Sequence, residues 1–307
     1  MTDHGRDGGG AFDAAVVGGS FAGLSAALYL ARGRRRVVVF DTGEARNRFA
    51  PTAHGFLGND GQAPDAIRLE GRREVLAYPT AALRESRVVA AEGARDAFRL
   101  RCEDGREVEA RRLILAYGVR DILPPIEGMA ECWGVSAVQC PYCHGFELAD
   151  RPTGVLTEGP GAMGHARMLR DWTDDLTLFP AGGGLSPEDR RAFLERGARV
   201  EDAGVTALLH DRGRLRAVRL ADGREVPLEV LYLAARTEPA SRLAEELGCA
   251  MDEGPTGLHV RVDDEGWTTV PGVIAVGDVA KPTFGAAAAA ADGVQAGVAC
   301  HCSLLGL

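Results

Sequence analysis

The chain has 307 residues, enough for two domains that each bury a core. A composition of 46% hydrophobic and 26% charged residues excludes the disordered and fibrous classes, and a net charge of -9 argues against nucleic acid, whose phosphates need a basic face. No run of about 18 apolar residues occurs, so no membrane span is expected, and the opening MTDHGRDGGG reads as a polar tail, not a signal peptide.

The first patterned segment is FDAAVVGGSFAGLSAALYLARGRRRVVVFDTG. A buried strand over 14–17 is expected to meet a glycine turn, then an alanine-rich helix, then a second strand, Val37–Phe40, closed by Asp41. Gly18, Ser20 and Gly23 take the three glycine positions of GxGxxG. Gly18 lets the chain turn sharply and Gly23 lets helix and strand approach, so that Gly19, Ser20, Phe21 and Ala22 bring a helix N-terminus to a pyrophosphate. Asp41 is placed to accept a ribose hydroxyl. Ser20 is a departure, because glycine ordinarily leaves room for the phosphate there.

CPYCHG, residues 140–145, joins two cysteines and a histidine. Such a set serves half a zinc site, a structural bridge or a redox couple. Zinc normally takes four ligands, and no second CxxC or HxxxH stands at a partner spacing. The seven cysteines are odd in number and scattered, which fits a reducing cytoplasm, where a close CxxC is catalytic or metal-binding. Cys102, Cys132 and Cys249 read as buried apolar side chains. Pro141 suits a helix's first turn, so Cys140 is expected at a helix N-terminus, where the dipole lowers a thiol pKa. His144, with an ordinary pKa near 6.5, can carry protons at neutral pH or simply cap the helix.

A second strand–glycine turn–helix–strand unit follows in PTGVLTEGPGAMGHARMLRDWTDDLTLFPAGGG, with strands near 154–157 and 176–179 and a literal GxGxxG at 159–164. An NAD site wants an acid after the second strand and an NADP site wants arginines; PAGGG at 180–184 offers neither. Near the end, a short strand over 273–276 leads to Gly277 and Asp278 and into an alanine helix that begins near Ala286 and Ala287. There Asp278 suits a ligand hydroxyl, or caps a turn. Cys300 and Cys302 flank His301 in the final helix, where i and i+2 point apart, so packing is the simpler expectation.

VVGGSFAGLSAAL, LILAYGVRDILPPIEG, CPYCHG and VPGVIAVGDVA resemble, in order and spacing, the low-molecular-weight thioredoxin reductase family of flavoproteins, from Phe12 to about residue 305. The resemblance implies an α/β fold of two Rossmann-like dinucleotide-binding domains, the second inserted in the first. FAD-binding segments would span 1–117 and 237–307, with the inserted redox domain at 118–236. It implies FAD on the first βαβ unit and on Gly277, Asp278, Ala286 and Ala287, with Arg46, Asn47, His54, Gly55 and Gly118 where the family's chain passes the flavin. It also implies a homodimer. His144 stands where the reductases carry an acid, FPAGGG replaces their arginine-bearing stretch, and Tyr117 replaces the threonine of their ATG motif. These departures, with RN, HGFLGNDG and LRDWTDDLTLF, look like the dithiol oxidase branch that closes the disulfides of gliotoxin, holomycin and romidepsin. That branch implies a small-molecule dithiol substrate facing Cys140, with Cys143 facing the flavin and O2 as the acceptor, giving peroxide. The rival reading is an NAD(P)H-dependent disulfide reductase running the opposite way; a flavin-bound regulatory protein without turnover is a third.

Overall fold

The computed structural model describes residues 10–157, 162–180, 185–281 and 285–307. The chain opens with β1 (Phe12–Val17), α1 (Phe21–Arg32), β2 (Val37–Phe40), α2 (Pro64–Leu76) and β3 (Ala81–Arg84). A hairpin-linked run, β4 (Val88–Ala94), β5 (Ala97–Cys102) and β6 (Glu107–Leu115), precedes β7 (Val119–Ile122). Next come α3 (Met129–Cys132), β8 (Ala137–Val138), α4 (Pro141–His144), β9 (Thr153–Thr157), α5 (Ala162–Met168) and β10 (Leu176–Pro180). They are followed by α6 (Pro187–Leu194), β11 (Arg199–Val200), β12 (Val205–Asp211), β13 (Arg214–Leu220), β14 (Glu225–Pro227) and β15 (Val230–Tyr232). The chain closes with β16 (Arg236–Pro239), α7 (Leu243–Glu246), β17 (Met251–Glu253), β18 (Leu258–Val260), β19 (Val273–Ala275) and α8 (Ala286–Leu305).

Two compact units result. The first holds the chain up to Arg48, then Phe56–Arg120 and Thr237–Leu307; the second holds Asp121–Arg236 together with Phe49–Gly55. The chain passes between them at 48/49, 55/56, 120/121 and 236/237. The short excursion at 49–55 has no signal in the sequence, since nothing in its composition marks a change of partner.

The first unit is built on a sheet of order β3-β2-β1-β6-β5-β4, with β19 pairing the C-terminal half of β6. β1 runs parallel to β2 and β6, while β5 is antiparallel to β6. The central strands are apolar on both faces because both faces are covered. Side chains alternate at period two: Ala15, Val17, Val38, Phe40, Leu113 and Leu115 enter one core, and Ala14, Val16, Val37, Val39 and Ile114 the other. α1 and α8 close that second core with Ala26, Leu30, Ala296, Cys300 and Leu304. Cys300 therefore serves packing, and its burial pushes the thiol pKa up to about 12.

The second unit carries a parallel sheet of order β11-β10-β9-β15-β8, beside an antiparallel meander of β12, β13 and β14. Its strands sort by the same alternation: Val155, Leu178, Val230 and Tyr232 face one core, and Leu156, Phe179 and Leu231 the other. In a parallel sheet all strands end at one edge, and the chain leaves β8 at that edge directly into CPYCHG. No helix among the described residues is long and apolar enough to cross a membrane.

Candidate functional site

Cys140 is the extended residue before α4 (φ -99°, ψ 116°), and Pro141 takes the first helical position, which needs no N–H donor. α4 is a single turn, so the helix macrodipole expected from the sequence has little length to act over. The Cys140 thiol is nevertheless lowered to about 7. A hydrogen bond from the Cys143 side chain is the main cause; the backbone N–H groups of Cys143 and Tyr142 add to it, and burial opposes it. The acidity is thus a property of the CxxC turn itself.

Gly145 closes that turn, its N–H donating to the Pro141 carbonyl at 2.6 Å. A Cβ there would lie 2.8 Å from the Trp172 indole nitrogen, so only glycine lets Trp172 seat against the turn. Trp172 meets Tyr142 edge to face at 5.5 Å. His144 stands beside both cysteines in sequence with a largely buried ring, and neither ring nitrogen has a partner at hydrogen-bond geometry among the described residues. Burial holds its pKa below the ordinary value, although the nearby Cys140 backbone and the charge of Glu147 work the other way. His144 is therefore a largely buried imidazole held toward its neutral form, within electrostatic reach of Glu147 and His54.

Three further residues crowd this corner. His54, which the family resemblance places where the chain passes the flavin, belongs to the second unit, where its Nε2 lies 3.4 Å from Glu147 Oε1 and 3.0 Å from Thr52 Oγ1. Tyr232, at the end of β15, is buried with its hydroxyl pKa raised, first by desolvation and then by the charges of Cys140, Cys143 and Glu147. His165 of α5 stacks edge-on against Tyr232 at 5.8 Å, and burial lowers its pKa. Tyr232 and His165 were not among the residues expected at the site; only the pairing of β15 with the strand that leads into CPYCHG brings Tyr232 there. Among the described residues no three His, Cys, Asp or Glu side chains are grouped as a metal site.

In the first unit, the β1–α1 turn is shaped by close approach. Gly18 has φ +115°, and a Cβ there would lie 2.2 Å from the Ala116 carbonyl oxygen. A Cβ on Gly23 would strike the Gly18 oxygen, and one on Gly19 the Asp41 carboxyl. Ser20 precedes α1 without a side-chain cap, so the first N–H groups behind Phe21 and Ala22 keep their donor capacity for a ligand. Asp41 accepts from Arg68 Nη1 at 3.0 Å and from the Gly43 N–H at 3.0 Å, an arrangement the sequence did not disclose. Beside it opens a cavity of about 460 Å³ that also borders Thr42, Arg72, Ser86 and Arg87.

Arg46 and Asp278, 232 positions apart, form an ion pair at 3.0 Å. Gly277 approaches α1 closely, a Cβ there lying 3.1 Å from that of Ala22. Ala286 and Ala287 open α8. Asn47 follows Arg46 in a 3-10 turn, Gly55 (φ +72°) ends the 49–55 excursion, and Gly118 (φ +68°) accepts from the Ala240 N–H through its carbonyl. Tyr117 packs on the core, its hydroxyl buried beside Ala244 and its pKa raised by burial. Residues 159–161 of the second GxGxxG, with Glu158 before them, and 181–184 of FPAGGG lie outside the described residues, as do residues 1–9 of the polar tail. β10 itself ends on Pro180.

Residues 12–293 match the family model of the pyridine nucleotide-disulphide oxidoreductases. The chain belongs to that family. It is 36% identical to the thioredoxin reductase tcpT of Claviceps purpurea, over 87% of this chain and 86% of that one, and 30% identical to the thioredoxin reductase sirT of Leptosphaeria maculans, over 96% and 95%. Among solved structures it resembles an oxidoreductase from Agrobacterium tumefaciens (TM-score 0.91, 43% identity, 96% of this chain and 99% of that one). It also resembles HlmI (TM-score 0.90, 40% identity, 98% and 95%). The protein is thus a thioredoxin-reductase-like oxidoreductase of a family that uses FAD. The first unit fits that cofactor: it presents uncapped N–H groups at α1, a turn closed to side chains, a carboxylate at the end of β2 and a cavity beside that carboxylate.

Proposed function

We propose that the protein is a cytoplasmic, homodimeric, FAD-dependent dithiol oxidase that closes an intramolecular disulfide in a small natural-product dithiol, with O2 as acceptor, peroxide as product and no need for NAD(P)H. The observation that carries this reading is a CxxC turn that holds Cys140 acidic, at about 7, and ends on a buried imidazole, His144, held toward its neutral form. A base is what dithiol oxidation needs, because both substrate thiols must lose protons.

In the first exchange a substrate thiolate attacks Cys140 Sγ of the oxidised pair. The Cys140–Cys143 bond breaks, a substrate–Cys140 disulfide forms and Cys143 leaves as thiolate. The second substrate thiolate then attacks the substrate sulfur of that mixed disulfide, closing the product and expelling Cys140. A leaving thiol with a pKa of about 7 departs readily. The substrate has lost two electrons and two protons; the cysteine pair holds the electrons, His144 collects one proton on a ring nitrogen, and the other goes to a cysteine sulfur. Gly18 to Gly23, Asp41, Arg46 and Asp278 would hold FAD, which would supply a two-electron acceptor for the cysteine pair.

The reductase reading has support in the names of the curated relatives, so the direction of electron flow is the quantity to measure. Under anaerobic conditions dithiothreitol is expected to bleach the bound flavin quickly and NADPH slowly or not at all. Stoichiometric bleaching by NADPH within milliseconds would overturn the oxidase reading.

A further inference from the structure

We propose that Glu147 and His54 form the proton outlet of the Cys140–Cys143 centre: Glu147 receives the proton that His144 takes from the thiols, and His54 holds the Glu147 carboxylate in line. The proposal deepens the dithiol-chemistry reading of this site and rests on it.

The geometry shows why an outlet is needed. The His144 ring nitrogens are buried without a partner among the described residues, so a proton collected there would create an imidazolium unable to hand it directly to water. Glu147 follows three residues later in the turns that continue α4, with the Leu148 N–H donating to the His144 carbonyl at 3.1 Å, and its side chain is 40% exposed. Its charge is felt at the His144 ring, and its side chain reaches solvent. His54 arrives from the 49–55 excursion, is itself only 18% exposed, and meets Glu147 at 3.4 Å while Thr52 fixes the same nitrogen at 3.0 Å. A carboxylate half in water would otherwise sample several rotamers, and the histidine selects one. The other titratable groups facing this corner are Cys140 and Cys143 on the turn itself and Tyr232 from β15; Arg151 reaches the Glu147 carbonyl through Nη2 at 3.2 Å. Tyr232 is held protonated far above neutrality and Arg151 is a fixed cation, so neither relays protons near pH 7. The transfer is a proton step only: an S–H bond breaks, an N–H bond forms on His144, and the proton passes to a Glu147 oxygen and then to water.

Glu147 is the group assigned to take the proton from the ring; His54 acts through it and is a positioning residue. The test uses full-length oxidised flavoprotein and dithiothreitol under anaerobic conditions, following loss of the Cys140–Cys143 disulfide by acid quench, alkylation and intact mass against pH. Glu147→Gln is expected to slow the single-turnover rate by roughly 10²-fold, to enlarge the solvent deuterium isotope effect and to flatten the pH profile. His54→Ala should cause a smaller loss of the same kind, and His54→Gln, whose amide can still donate to Glu147, should recover part of it. In a Glu147→Gln background, His54→Ala should add nothing. Additive losses in that cycle, or variant pH profiles that overlay the parent's, would overturn the relay. A parent enzyme whose disulfide dithiothreitol does not reduce would instead sink the dithiol-chemistry reading, so the two failures are distinct.

Discussion

Replacing Cys143 by alanine tests where the acidity of Cys140 comes from. The Cys140 thiol lies near pH 7 instead of 9 chiefly because Cys143 hydrogen-bonds its sulfur; two backbone N–H groups remain in the variant, and burial pulls upward. The inflection should therefore rise by one to two units. At pH 7 a thiol of pKa 7 is about half ionised, one of pKa 8 about a tenth and one of pKa 9 about 1%. A more basic thiolate is also the better nucleophile, by roughly 3- to 8-fold over that range with a Brønsted slope near 0.45. The two effects oppose one another. Iodoacetamide alkylation of Cys140 at pH 7 should fall only about 2- to 6-fold, while the plateau rate at high pH rises about 3- to 8-fold. The assay is peptide-resolved alkylation of reduced protein between pH 5 and about 10. Cys102, Cys132, Cys249 and Cys300, all raised by burial, contribute little at the acid end. An inflection that stays near 7 in Cys143→Ala would refute this account and return the effect to the backbone.

Three other outcomes are expected. Cys143→Ser, offered a linear disulfide such as hydroxyethyl disulfide, should form a mixed disulfide on Cys140 by exchange, with release of the other thiol, visible by intact mass and without flavin reduction; turnover of a dithiol at the parent rate would exclude the CxxC as the redox centre. His144→Ala should lower peroxide release by roughly 10²- to 10⁴-fold at unchanged FAD content. Because burial lowers the His144 pKa, the neutral base survives to below pH 6.5 and the parent's acid limb should fall there, whereas His144→Asp should move that limb. Gly18→Ala places a Cβ 2.2 Å from the Ala116 oxygen at φ +115°, so the purified protein should lose flavin, read as the 450 to 280 nm absorbance ratio.

What the sequence disclosed follows the range over which its signals act. The β1–α1–β2 unit was legible because Gly18, Gly23 and Asp41 stand within one local pattern, and the structure realises that pattern with close backbone approaches. The seat of Cys140 was legible from Pro141, but the cause of its acidity was misassigned, because nothing in CPYCHG says that the helix stops after a single turn. Arg68 on Asp41 and Arg46 on Asp278 were invisible as pairs: an arginine 27 or 232 positions away carries no mark of its partner. Tyr232 was hidden for another reason, since a tyrosine ending an apolar strand has the same local pattern whether or not its edge of the sheet holds a redox pair.

The 49–55 excursion bears on how this molecule can be cut and rearranged. A domain inserted at one point of its host can be excised with two cuts, but this chain crosses between its units at 48/49, 55/56, 120/121 and 236/237. A fragment of Asp121–Arg236 made alone would leave behind His54, the partner of Glu147, and Phe49, whose Cβ fills the space that Gly134 (φ +76°) leaves open. The stretch between β2 and α2 therefore supplies contacts that the second unit needs. Swapping redox domains between relatives should transplant activity only when this seven-residue loop travels with the insert.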